Sequence, residues 1–92
     1  MHVTVNYMAQ VKRAAGTATE TVDLPEGSTI QALVTHLIEE RDQEFKGLLL
    51  DTEGRLRDTI LLFVGEEQIT PEDPRALKEG DEVTLLSPVA GG

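Results

Sequence analysis

Apolar residues occupy every second position near the start of the chain, and this alternation predicts the first β-strand. Residues 3–9 place one set of side chains on an apolar face and the other on a mostly polar face, which is the period of a half-buried strand. Residues 10–16 break the alternation with small and polar residues and end in Gly16, which can supply a turn. The alternation resumes at residues 19–24, where we predict a second strand.

The pattern changes to a helical period after the turn Leu-Pro-Glu-Gly. Ser28 is predicted to be the N-cap, since Gln31 three residues later would complete a capping box. Apolar residues then recur at the spacing of one buried helical face: Ile30, Leu33, Val34, Leu37 and Ile38. Residues 41–47 are mostly charged and should contain the helix end, and residues 48–50 make a short apolar return to the core.

Three shorter segments complete the set of predicted strands. Residues 60–64 are apolar at every position, which predicts a strand covered on both faces, and a tight hairpin would lead from it to residues 67–69. The loop that follows contains two prolines, and residues 75–78 are compatible with a single helical turn. Residues 82–86 are the predicted last strand.

These elements predict an α+β domain, a mixed sheet of four to five strands with one main helix packed across it. A single apolar helical stripe can cover one face of such a sheet and no more. The first and last strands should lie side by side and parallel at the centre, with the helix in the crossover between them. We assign residues 1–86 to this domain and residues 87–92 to an extended tail, with no second domain.

The tail is the most unusual stretch of the sequence. Pro88 lacks the N–H that a further ladder bond would need, so the last strand should end before it. Val89 and Ala90 are small, and Gly91 and Gly92 leave the backbone bare enough to pass through a narrow channel. Six extended residues would reach roughly 20 Å. The pattern favours a tail that is threaded into another protein, the alternative being an ordinary frayed end.

Composition narrows the classes of function. The 92 residues include no cysteine, which excludes disulfides and thiolate chemistry. The net charge is −9, from 17 acidic and 8 basic residues, and it disfavours nucleic acid and anionic membranes as partners. The sequence shows no signal peptide and no long apolar run, so we expect a cytoplasmic protein. Acidic residues are dense in residues 66–82, which indicates either a solvated face or a dock for a basic partner.

No motif in the chain predicts catalytic machinery of its own. His2 and His36 have no metal-ligand spacing, so we expect no metal site. Ser28 and Ser87 have local roles, as a cap and as a residue before proline, and neither belongs to a recognisable triad. A phosphate-binding glycine loop is absent as well, so no bound cofactor is expected.

Two apolar side chains are predicted to lie on the uncovered face of the sheet. Met8 shares its face with Thr4 and Asn6, and Leu86 shares its face with Thr84. If the two strands are neighbours, Met8 and Leu86 lie together beside the tail and could form a partner surface. The alternative is that they are separate surface residues of the usual kind.

Several motifs together resemble the MoaD/ThiS family of ubiquitin-like sulfur carriers. They are Met-Ala-Gln-Val-Lys at residues 8–12 with Gly16 downstream, Leu-Pro-Glu-Gly-Ser-Thr at 24–29, Gly-Asp-Glu-Val at 80–83 and Ser-Pro-Val-Ala-Gly-Gly at 87–92. Within that family the pieces are most similar to the small subunit of molybdopterin synthase, although such subunits often carry aromatics where this chain has Met8 and Leu86. Gly-Arg-Leu-Arg at residues 54–57 resembles carriers that serve cysteine biosynthesis.

The resemblance implies a β-grasp fold and a carrier function. An adenylating enzyme of the ubiquitin-activating type would use ATP to join AMP to the Gly92 carboxylate. A sulfur donor would then displace the AMP, and the thiocarboxylate would be delivered to the larger catalytic subunit of molybdopterin synthase. Delivery to enzymes of cysteine, thiamine or tRNA thiolation is the alternative within the family, and conjugation of Gly92 to protein lysines is the alternative outside it.

Overall fold

The computed structural model describes residues 1–87, which form a sheet with three helices. The elements in chain order are β1 (His2–Ala9), α1 (Gln10–Ala15), β2 (Thr19–Asp23), α2 (Ile30–Glu39), α3 (Gln43–Leu49), β3 (Leu61–Val64), β4 (Glu67–Ile69) and β5 (Glu82–Ser87). All five predicted strands are present, and α2 is the predicted main helix. None of the helices in this range is long and apolar enough to cross a membrane.

The sheet has the strand order β2-β1-β5-β3-β4. β1 pairs with β5 in parallel, and the remaining neighbours are antiparallel. The predicted parallel pairing of the first and last strands is therefore confirmed, with β5 in the middle of the sheet. Since β1 and β5 run in the same direction, their carboxyl ends lie together at one end of the sheet.

The hydrophobic core lies between α2 and one face of the sheet. Alternate residues of the two central strands are buried on this face, among them Val5, Tyr7, Val83 and Leu85. The helix contributes its predicted stripe, of which Ile38 is only partly buried and the others are in the core. In the described part of the chain the opposite face of the sheet carries no helix, as expected for a chain with one main apolar stripe.

Helix α1 was not predicted, because its six residues were read as an irregular connection. Its buried residues, Val11 and Ala15, are four positions apart and give the helical signal. Gly16 ends it with a left-handed φ of 80° and donates its N–H to the Lys12 carbonyl. The chain passes from β1 into α1 through Ala9, which has a φ of 57° and is the one non-glycine residue with positive φ in the described chain.

The helix caps also differ from the prediction. Thr29 is the N-cap of α2 and its hydroxyl accepts from the Ala32 N–H, while Ser28 Oγ donates to the Pro25 carbonyl. The predicted box between Ser28 and Gln31 is therefore wrong. The charged segment after α2 holds a second N-cap, Asp42, which accepts from the Phe45 N–H and begins α3. Residues 48–50, which were expected to return the chain to the core, therefore lie at the end of α3, and Leu49 is buried there.

Two further segments depart from expectation. Residues 75–78 form no helical turn, and Ala76 instead makes an isolated bridge to Thr29 at the start of α2. Strand β5 extends one residue further than predicted and ends at Ser87, which is 4% exposed. Ser87 is therefore part of the sheet, although the sequence placed it in the tail.

An aromatic and charged cluster anchors α1 to the rest of the domain. The Arg41 guanidinium packs against the rings of both Tyr7 and Phe45, 5.5 Å and 5.7 Å from their centroids. It donates to the Ala15 carbonyl at 3.0 Å and forms an ion pair with Glu20. The Tyr7 hydroxyl donates to the same carboxylate at 2.9 Å. The Arg41 side chain therefore links β1, β2, α3 and the last residue of α1.

We predict that Ala9→Gly stabilises the protein or leaves its stability unchanged. Glycine adopts a φ of 57° freely, whereas alanine in this region carries about 1–3 kcal/mol of strain. The greater flexibility of glycine in the unfolded chain offsets about 0.4–1 kcal/mol of that gain. The free energy of unfolding in urea measures the result. Ala14→Gly, in α1 itself, is the matched control and should destabilise by about 1 kcal/mol; a similar loss from Ala9→Gly would contradict the strain.

A second prediction concerns alkaline pH. Burial raises the pKa of Tyr7 from 10.0 to about 12, so the neutral phenol is favoured in the folded state. The neutral Tyr7 phenol makes its full contribution to the free energy of unfolding below pH 10. This contribution is lost as the pH rises toward 12, and the loss is about 2–3 kcal/mol for two pKa units. Tyr7→Phe should abolish this loss in urea unfolding measured across that range. Because Tyr7 is the single tyrosine, tyrosinate absorbance reports its pKa directly, and an ionisation near pH 10 in the folded protein would contradict the assignment.

Candidate functional site

The parallel pairing brings the two predicted patch residues into contact range. Met8 of β1 lies directly opposite Leu86 of β5. Met8 is 50% exposed and is the exposed large apolar side chain of the described chain, while Leu86 is partly exposed. Their predicted proximity is therefore confirmed.

Strand β3 adds two residues that the sequence did not assign to this surface. Leu61 lies opposite Leu86, and Phe63 lies opposite Thr84 in the next row. Both are partly exposed, whereas the intervening Leu62 is 1% exposed and belongs to the core. The expectation that this strand is covered on both faces is wrong, since no helix or strand of residues 1–87 covers the outer one. We call Met8, Leu86, Leu61 and Phe63 the apolar patch.

The patch lies at the end of the sheet from which the tail begins. Ala9 pairs with Ser87, one step beyond Met8 and Leu86. Strand neighbours are about 4.8 Å apart, so Met8, Leu86 and Leu61 form a row about 10 Å wide. The predicted threading residues Pro88, Val89, Ala90 and Gly91, and the predicted reactive residue Gly92, lie outside the described residues.

Polar residues border the patch on the side away from the tail. Asn6 and Thr84 form the next row with Phe63, and the row after it pairs Thr4 with Glu82. The Asn6 side chain donates to Glu82 at 3.2 Å. The uncovered face of the sheet thus changes from apolar to polar and then acidic with distance from the tail.

The two histidines that the sequence analysis considered lie on different elements of the fold. His2 lies 3.5 Å from Glu79 at the far end of β1, and His36 is on α2. Within residues 1–87 no group of three or more histidine, aspartate and glutamate side chains is arranged to hold a metal ion. The Glu79 carboxylate accepts from the His2 N–H at 2.8 Å, which lowers the pKa of Glu79 below its usual range.

An open groove of about 1120 Å³ lies on the helical side of the domain, between α2 and the segments 54–58 and 68–72. Apolar residues of α2 line this groove, together with Arg55 and Arg57. Arg57 Nε donates to the Gly47 carbonyl, and Arg55 lies 3.4 Å from Glu53. Leu61 lines this groove and also belongs to the patch. Since the end of β5 lies at the patch, we treat the patch and the end of β5 as the candidate functional site.

Comparison with known proteins places the chain in a family. The model of the ThiS family matches residues 5–92. The chain belongs to the ThiS family. The match runs from β1 through the final glycines, so it includes both the patch and the tail. The family resemblance of the sequence motifs is thereby confirmed.

Curated relatives of this ThiS-family chain are similar over their whole length. The molybdopterin synthase sulfur carrier subunit of Chlamydomonas reinhardtii is 29% identical over 92 residues, covering 100% of both chains. The protein of the same name from Drosophila sechellia is 33% identical over 93 residues, covering 100% of this chain and 92% of that one.

Solved structures confirm the β-grasp fold. SAMP1 from Haloferax volcanii superposes with a TM-score of 0.88 at 24% identity and full coverage of both chains. Urm1 from Trypanosoma brucei has a TM-score of 0.78 at 26% identity, covering 99% of this chain and 95% of that one. The mixed sheet with a helix across it is therefore the ubiquitin-like β-grasp arrangement.

Proposed function

We propose that this protein is a sulfur carrier that donates sulfur from a thiocarboxylate at Gly92, and that it serves molybdopterin synthesis as the small subunit of the synthase. The observation that carries the proposal is the family match, which extends to Gly92, together with full-length similarity to molybdopterin synthase sulfur carrier subunits. The structure supports a docking site for the carrier, because an apolar patch adjoins the end of β5.

The chemistry of a terminal carboxylate explains why partners are needed. With a pKa near 3.5 the group is ionised at neutral pH and is a poor electrophile. An adenylating enzyme would join it to the α-phosphate of ATP with release of pyrophosphate. Hydrosulfide supplied by a sulfur donor would then attack the acyl carbon, form the C–S bond, lose its proton and release AMP, which leaves a thiocarboxylate. The chain supplies the reacting group, and the activating enzyme supplies ATP and its binding site.

The apolar patch provides the means of orientation in this proposal. A reactive group on a glycine tail gains accuracy from the docking of the folded body, since docking confines the tail to the receiving channel. Met8 and Leu86 are directly opposite each other, and methionine adapts to differently shaped partner surfaces. One patch can therefore bind the adenylating enzyme and the larger catalytic subunit in turn.

Intact mass measures the proposed reaction directly. Incubation with the adenylating enzyme, ATP and a sulfur source should give a mass gain equal to the replacement of one oxygen by sulfur. Deletion of Gly91 and Gly92 should abolish the gain and leave the fold unchanged. If a competent adenylating enzyme gives neither an adenylate nor a sulfur adduct, the proposal is wrong. Isopeptide branches from Gly92 to lysines of other proteins, without transfer to the synthase, would indicate a protein modifier instead.

The patch is tested by adding one negative charge on the same sheet face. Met8→Asp and Leu86→Asp should each weaken binding to the larger catalytic subunit by about 1–3 kcal/mol, because a carboxylate would be buried in an apolar contact. Thr21→Asp is the matched control, since Thr21 is exposed on the same face and pairs with Thr4 at the acidic end. Calorimetric titration gives the affinities. Equal losses of affinity in all three variants, or no loss in the first two, would show that the patch is not the docking surface.

A further inference from the structure

The acidic residues of this chain are confined to one part of the sequence. All of the 17 aspartates and glutamates lie between Glu20 and Glu82. The first 19 residues contain none, although they include Lys12 and Arg13. Strand β3 and the residues after Glu82 contain no acid either. The net charge of −9 therefore says little about the surface that these segments form.

The fold brings α1, the end of β5 and the start of β3 to the tail end of the sheet, where Asp58, three residues before Leu61, is also exposed. Helix α1 follows β1 directly and contacts β5 as well as β1. Val11 and Ala15 face the core, so Lys12 and Arg13 project from the opposite side of α1 and are exposed. Neither base has an ion pair or a side-chain hydrogen bond within residues 1–87. The bond from Arg41 to the Ala15 carbonyl fixes the helix that carries them.

Acidic residues collect at the other end of the same strands. Glu79 accepts from the N–H of His2, and the Asp81 carbonyl accepts from the N–H of Thr4. Glu66 follows Gly65 in the hairpin after β3, and the Gly65 N–H bonds to the Glu82 carbonyl. The acids that the sequence suggested as a dock for a basic partner thus lie away from the tail. The amino ends of β1 and β5 are therefore more acidic than their carboxyl ends.

The two exposed bases act mainly on charges close to them, because the field of an exposed charge is largely screened beyond one Debye length, about 8 Å at physiological salt. The five residues after Ser87 would span about 17–18 Å when fully extended. Lys12 and Arg13 would therefore act on the partner surface that α1 meets rather than on ATP at the far end of the tail. Exposed bases with no internal partner also remain available for an intermolecular ion pair.

We propose that Lys12 and Arg13 form a cationic rim beside the apolar patch, and that this rim docks against acidic side chains at the tail entrance of the adenylating enzyme. The inference rests on the proposed function and adds the charge of the partner surface to it. The patch supplies apolar contact area, and the rim steers the approach and sets the orientation. Rim charges act mainly on the association rate and lose their effect as salt rises.

Charge reversal tests the rim with the full-length chain and the adenylating enzyme. Lys12→Glu and Arg13→Glu should each slow association, and the double variant should do so by about tenfold or more at low salt, with a much smaller difference at high salt. Lys78→Glu is the matched control. It changes the net charge equally, is exposed and lies by the turn to Asp81 at the acidic end, so it should have little effect. Lys12→Arg should retain the wild-type rate.

Urea unfolding of the same variants distinguishes a role of Lys12 and Arg13 in docking from a role in the stability of α1. Retained stability with slowed association supports the rim, whereas a salt-independent loss that follows a loss of stability overturns it. Unchanged association of the double variant, or an equal effect of Lys78→Glu, also overturns the rim. In either case a wild-type chain that still forms the sulfur adduct leaves the carrier function intact. A wild-type chain that neither binds the adenylating enzyme nor forms the adduct refutes both.

Discussion

The parallel pairing of β1 with β5 is the constraint on which the site depends. It places the ends of two strands from opposite ends of the sequence next to each other, so Met8 meets Leu86 and Ala9 meets Ser87. The buried side chains of the same two strands form the middle of the core. The residues that make the domain stable therefore also fix the position at which residues 88–92 follow it. A patch built on three neighbouring strands is held more rigidly than one built on loops.

The Arg41 guanidinium imposes a second constraint, on the position of α1. Arg41 binds Glu20, contacts the rings of Tyr7 and Phe45 and donates to the end of α1. A short helix of six residues has little stability of its own in water. Its position beside the patch is thus set by packing and by this shared guanidinium. The strained backbone at Ala9 belongs to the same arrangement, because the chain must turn from strand to helix within one residue.

The separation of charge links the body of the domain to the proposed carrier function. A large negative net charge favours solubility, but acids at a docking surface must be desolvated or paired when a partner binds. Acids lie near the amino ends of β1 and β5, whereas the last residues of these two strands, which include Met8 and Leu86, are uncharged. Burial of the apolar patch against a partner then needs little desolvation of charge, which is the costly part of forming an interface.

The sequence alone determined the five strands, the main helix and the facing of the two central strands, because these depend on local periodicity and on the burial of one face. It also determined that Met8 and Leu86 point away from the core. It could not determine the contribution of Leu61 and Phe63, since a run of apolar residues looks the same whether one face or both are covered. The cap at Thr29 and the second cap at Asp42 were decided by competition among short polar residues for backbone groups, which local patterns resolve poorly. Helix α1 has no side-chain cap, and its two buried residues are too few to give a clear helical period. Only the tertiary structure placed α1, which carries Lys12 and Arg13, against the last strand, because strand pairing joins residues that are more than seventy positions apart.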